Sequence, residues 1–154
     1  MLNFLKNNNY LYSRKTGDTI NKHGALKEDV ISYVKEQYNT DAEYLWAKFP
    51  GYAIFRHPNG KWYGAIMNIE KNKIGLEGDE MIDVLATKCD SILRGGLLRE
   101  KGYYPAYHFN KENWITILLD GSVDKESVFM MLDMAYEMTG AKTRTANSKI
   151  IKND

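Results

Sequence analysis

The sequence predicts an α+β domain, an antiparallel β-sheet with helices packed on one face. Three observations lead there. Apolar residues recur at helical spacing near both ends of the body, over 25–38 and 123–139. Between them lie several runs with strand character. The turns joining consecutive runs are too short for anything but an antiparallel return. The 154 residues, 44% of them hydrophobic, are enough for one core and therefore one domain.

The first helix, over 25–38, rests on Leu26, Val30, Tyr33, Val34 and Tyr38, with Glu28 and Asp29 in the first turn where the helix dipole favours them. Tyr44, Leu45 and Trp46 read as a short strand before the Pro50-Gly51 turn. Residues 53–57 and 61–69 form a hairpin across Pro58-Asn59-Gly60, because Asn-Gly accepts positive φ. A turn at 70–73 leads to a short strand over 74–76, and 80–88 makes another. Asp90 or Ser91 caps a helix over 91–100, in which Gly95-Gly96 suggests close packing against a neighbour. Residues 105–110 and 114–119 make a second hairpin. Ser122 caps the last helix, whose apolar stripe is Val128, Met131, Leu132, Ala135 and Met138, and Gly140 ends it. Helices on one face of such a sheet are the simplest way to bury it.

Composition excludes several functions. The one cysteine, Cys89, allows no internal disulfide and no multi-thiolate metal site. His23, His57 and His108 are isolated, no glycine loop precedes a helix with Lys-Ser/Thr, and no carboxylate pair is set up for acid–base work. The expectation is a protein without metal or cofactor, and not an enzyme. No apolar run or leader pattern indicates a membrane, so the expected address is the cytoplasm.

The net charge of +1 is unevenly spread. Residues 1–24 and 140–154 each carry +3, and the 25–139 body carries 13 basic against 18 acidic residues, a net −5. The N-terminal extension, 1–25, has a possible short helix over 2–8 and aromatic residues able to dock on the body. The basic tail, 140–154, is expected to fray and to be dispensable for folding.

The densest aromatic stretch is 102–114, where Tyr103, Tyr107, His108, Asn110 and Lys111 follow Arg94, Arg99 and Lys101. Strand alternation places Tyr107 and Phe109 on one face and Ala106, His108 and Asn110 on the other. Aromatic rings interleaved with cations can stack on bases and hold phosphates, so these eight residues are the candidate binding surface. Arg56 and Lys61 on the first hairpin are a secondary one. The Tyr103–Lys111 surface also suits a protein or small-ligand module. The plainer structural reading puts Trp114 and Phe109 in the core, makes Asn110 a turn residue and leaves the tyrosines rimming the sheet.

The run Tyr-Pro-Ala-Tyr-His-Phe-Asn-Lys-Glu-Asn-Trp-Ile-Thr at 104–116, then Leu-Leu-Asp-Gly-Ser-Val at 118–123 and the closing helix, resembles the MmcQ/YjbR-like proteins. Their hallmark is a Tyr-His-Met-Asn-Lys-x-x-Trp hairpin, here with Phe109 for the methionine. Trp46, Phe49-Pro50, Phe55-Arg56, Lys61-Trp62-Tyr63 and Lys88-Cys89-Asp90 also look like family positions, and the resemblance covers about 26–139. It implies a single antiparallel α+β domain similar to the CyaY (frataxin)-like fold. It also implies DNA binding through a double-wing sheet surface. With Arg94, Arg99, Lys101 and Lys111 flanking an aromatic hairpin in an otherwise acidic body, any such binding is expected to be weak, electrostatic and largely sequence-independent. A frataxin-like iron role lacks its acidic ridge, since the first helix offers only Glu28, Asp29 and Glu36.

Overall fold

A computed structural model describes residues 23–140. The expectations for 1–22 and 141–154 lie outside the described residues. The elements in chain order are β1 (Gly24–Leu26), α1 (Lys27–Tyr38), β2 (Ala53–Arg56), β3 (Trp62–Glu70), a 3-10 turn (Lys71–Ile74), β4 (Met81–Lys88), α2 (Ser91–Leu97), β5 (Tyr103–Pro105), β6 (Trp114–Leu118), β7 (Asp120–Asp124) and α3 (Lys125–Thr139). The main sheet has the order β2-β3-β4-β6-β5, and every neighbouring pair is antiparallel. β1 and β7 make a second, two-stranded sheet. The α+β class and the antiparallel sheet read from the sequence are therefore the architecture found.

Local chemistry accounts for the element ends. The Asp29 carboxylate accepts from the Leu26 N–H at 2.9 Å and lies 3.6 Å from the Lys125 ammonium, tying the start of α1 to that of α3. α1 ends at Asn39, in the left-handed conformation at φ 52°, a role Asn tolerates better than most residues. In the first hairpin Gly60 takes φ +90°, and the Asn59 side chain accepts from the Lys61 N–H at 2.8 Å. Pro105 sits on an edge strand, where its missing N–H is harmless.

Several expectations are corrected. Residues 44–46 are not a strand: only Glu43 bridges to Ile54, and Tyr44, Leu45 and Trp46 stay 39–56% exposed. The turn expected at 70–73 is present as the 3-10 turn Lys71–Ile74, but the strand expected over 74–76 is not: the chain keeps turning there, with the Leu76 N–H on the Lys71 carbonyl. Asp124, not Ser122, caps α3, accepting from the Ser127 N–H at 2.9 Å; the Ser122 hydroxyl donates to Asp120 instead. That leaves 120–124 as strand β7. α2 stops at Leu97, and a side chain at Gly95 or Gly96 would meet no neighbouring atom within 4 Å, so these glycines serve no close packing.

Both faces of the main sheet are buried. On one, α1 and α3 pack Val30, Tyr33, Val34, Val128 and Leu132 against sheet residues that include Phe55, Leu85 and Ile117. The other carries Ile54, Ala65, Met67, Val84, Ala86 and Trp114, and is covered by loops. A β-bulge in β3 links the two. Arg56 pairs with Trp62 and Phe55 with Gly64, which leaves Tyr63 as the extra residue. Trp62 thus joins the loop-covered face while Tyr63 is fully buried in the helix-side core.

Gly102 joins α2 to the edge strand at φ +94°, and an added Cβ would lie 2.3 Å from Val123 Cγ2. Valine is stiff at χ1 and cannot swing away. Gly102→Ala should therefore cost about 2–3 kcal/mol, combining left-handed strain with overpacking. A urea titration unshifted from wild type would contradict this.

Candidate functional site

The loop-covered face holds a cleft of about 400 Å³. Its floor is Ile54 on β2 with Ala65 and Met67 on β3. Its walls are aromatic: Trp46, Phe49 and Tyr52 from the loop before β2, Trp62 from the bulge, and Phe109 from the loop before β6. His108 completes the rim, and among the described residues no Lys, Arg, Asp or Glu lines the cleft. Two successive turns shape the first wall, with the Phe49 N–H on the Trp46 carbonyl and the Tyr52 N–H on the Phe49 carbonyl. Phe49 and Tyr52 stack at 17° with centroids 4.8 Å apart, and the other neighbouring rings are steeply inclined. Trp46 stands at 89° to Tyr52 and 65° to Trp62, and Trp62 at 62° to Phe109, with centroids 6.0–6.2 Å apart. Trp46 and Phe49 remain 39% and 46% exposed.

The second wall is held from behind. Phe109 stacks on buried Trp114 at 4.4 Å, and the Lys88 ammonium lies 5.7 Å from the Trp114 ring. Residues 106–113 are not strand but a shaped loop, so the alternation expected there does not hold. His108 sits at φ +73°. Asn110 Oδ1 accepts from the Glu112 and Asn113 N–H groups at 2.7 and 3.3 Å, and the Lys111 ammonium donates to the Ala106 carbonyl at 2.6 Å. These residues close the loop on itself and present Phe109 to the cleft.

The other candidates lie elsewhere. The α2 region and the turn after it carry Arg94, Arg99 and Lys101, and Leu93, Leu97 and Leu98 pack that region on the helix-side core. Arg94 Nε is buried without a hydrogen-bond partner among the described residues. Lys101 and the largely buried Tyr103 line a broad, shallow groove of about 730 Å³ with Glu100, Asp124 and Ser127. That groove is larger than the cleft but more open and of mixed polarity. Tyr107 and His108 meet at 4.0 Å between ring centroids on the opposite, loop-covered side. Arg56 is paired with Glu43 at 2.8 Å, and exposed Lys61 belongs to the first hairpin turn. The basic candidates are therefore divided between the two faces of the sheet. Burial pushes the Cys89 thiol up to about 11, so it is protonated at neutral pH, and it points to the Asp90 carbonyl.

A second polar assembly lies inside the helix-side core. Tyr33 donates to both Asp133 oxygens at 3.1 Å, and Tyr38 donates to Asp133 Oδ1. Asp133 is 5% exposed. Burial raises its carboxyl above the ordinary value, and the bonds from Tyr38 and Tyr33 offset part of the rise. Burial, with the carboxylate beside them, raises both phenols.

The class this geometry defines is an antiparallel α+β domain with an aromatic cleft of small-ligand size on the loop-covered face of its sheet. The chain belongs to the YjbR family, whose model matches residues 35–138. It is 38% identical over 114 residues to the uncharacterized protein YyaQ of Bacillus subtilis, covering 73% of this chain and 97% of that one. The crystal structure of a Pseudomonas syringae protein, structural-genomics target PsR293, superposes with a TM-score of 0.71 at 40% identity, over 73% of this chain and 97% of that one. Deinococcus radiodurans DR2400 shares the fold, with a TM-score of 0.59 at 20% identity over 77% of this chain and 81% of that one. Among the described residues no helix is long and apolar enough to cross a membrane.

Proposed function

We propose that this YjbR-family chain is a non-enzymatic binding module whose aromatic cleft receives a small ligand with an apolar body. The observation that carries this is the partly exposed five-ring wall around about 400 Å³. Ligand pockets typically span about 300–1,000 Å³ and are lined by apolar and aromatic side chains. Solvent-exposed Trp and Phe around a cavity give up apolar hydration when it fills, which favours occupancy.

DNA binding is the other reading, and the exposed Arg99 and Lys101 are what it would use. Less supports it. The body is acidic at −5, Arg56 and Lys111 are already engaged, and the basic candidates are divided between opposite faces.

One tryptophan-fluorescence experiment on the full chain compares the two. A neutral probe, 3,3-dimethylbutan-1-ol, should give a saturable change that Trp46→Ala weakens about ten-fold, as expected when a partly buried aromatic contact is lost. Random duplex DNA should bind more weakly. A DNA surface predicts instead a log–log salt slope of about −3.6 for four phosphate contacts, reduced by nearly two in the Arg99→Ala/Lys101→Ala double variant. That result, with no response to the neutral probe, would overturn the cleft reading.

A further inference from the structure

We infer that the cleft's ligand is a soft organic cation, a free small molecule with a quaternary or N-methylated ammonium head. This rests on the cleft being the binding site and names the class of what it binds. Ring geometry is the first support. A flat aromatic ligand is best held between parallel plates. Phe49 and Tyr52 already stack on each other at 17° and 4.8 Å, with no gap for such a ligand, and along Tyr52, Trp46, Trp62 and Phe109 the walls turn through 62–89°. Steeply inclined rings make a box, and a box fits a round group.

The spacing is the second support. Neighbouring centroids 6.0–6.2 Å apart allow a group at the centre to come within cation–π reach, about 6 Å, of several rings at once. Indole gives the strongest such attraction, and two of the rings, Trp46 and Trp62, are indoles.

Charge is the third. No Lys or Arg lines the cleft among the described residues, so no permanent cation there opposes another; His108 stands on the rim, and the body that carries the cleft has a net charge of −5. The absence of a lining carboxylate selects further. A primary ammonium would lose its hydration without a paired acceptor, whereas an N-methylated one has few N–H groups, or none, to satisfy. The volume of about 400 Å³ exceeds what a trimethylammonium head fills, leaving room for an attached apolar body.

The test pairs choline with its neutral isostere, 3,3-dimethylbutan-1-ol, in fluorescence titrations of the full chain. Choline should half-saturate at about ten-fold lower concentration, the scale of a desolvated cation–π contact. Trp46→Leu keeps apolar area but removes the ring, and should bring the two probes within about two-fold of each other. Should that variant fail to fold, Phe49→Leu, at another exposed wall position, takes its place. Equal or tighter binding of the neutral probe, or a cation preference that survives ring removal, overturns the inference and leaves the cleft reading standing. Failure of both probes to bind overturns both.

Discussion

Trp114→Ala is expected to destabilise the protein by about 3–5 kcal/mol, the range for deleting a large buried aromatic side chain. Trp114 is 7% exposed and belongs to the same loop-covered core as Ala86 and Leu118. Its removal also takes away the surface on which Phe109 stacks. The second wall of the cleft should loosen with it, so ligand affinity and stability fall together. Against a total stability of about 5–15 kcal/mol, such a loss leaves a marginal fold. Chemical denaturation measures the first effect, and a loss under about 1 kcal/mol would contradict burial at this site.

Asp133→Ala should cost about 3 kcal/mol, because it strands the buried Tyr33 and partly buried Tyr38 phenols without their acceptor. Asp133→Asn keeps an acceptor oxygen and should cost less. The pH dependence carries its own sign. The folded state holds the Asp133 proton more tightly than the unfolded chain does, since burial raises this carboxyl above 3.8. The group therefore adds stability as pH falls through its raised folded value, and the gain is complete below the unfolded value. Wild type should thus gain on Asp133→Asn between neutral pH and about pH 4. A wild type that loses ground over that interval would mean the carboxyl is held below its ordinary value.

The sequence showed some parts plainly and hid others for physical reasons. Asn59-Gly60 announced its hairpin because Gly60 takes a φ of +90° that few other residues accept and Asn59 closes the turn with its side chain. The stripe on α3 was readable at Val128, Met131, Leu132 and Ala135, which the helix buries, whereas Met138 is 43% exposed. Tyr44-Leu45-Trp46 misled because an apolar aromatic run ordinarily marks a buried strand. Here it is an exposed approach to the cleft, and of the three residues Trp46 lines the wall.

The bulge at Tyr63 was invisible because period-two alternation assigns Trp62 and Tyr63 to opposite faces but cannot tell where the parity resets. That reset puts Trp62 beside Ala65 and Met67, and without it the cleft loses a wall. The 102–114 stretch was legible as special, yet its polar members proved to shape a loop. Asn110 and Lys111 fold it, and Phe109 is the residue it delivers. Trp46, Phe49 and Tyr52 joined the site only through tertiary contact; the family resemblance marked Trp46 and Phe49 without a role, and the density of aromatics beside Pro50-Gly51 was the other signal.

The most direct measurement is a 15N–1H map of the full chain, titrated separately with choline and with duplex DNA. The chain has three tryptophans, two in the cleft wall and one behind it, so the indole signals report the cleft directly. A ligand cleft predicts that choline shifts the Trp46 and Trp62 indoles and the amides of 46–52 and 108–109, while 91–101 stays quiet. Choline leaving both indoles unmoved, with DNA shifting residues from Arg94 to Lys101, would contradict it.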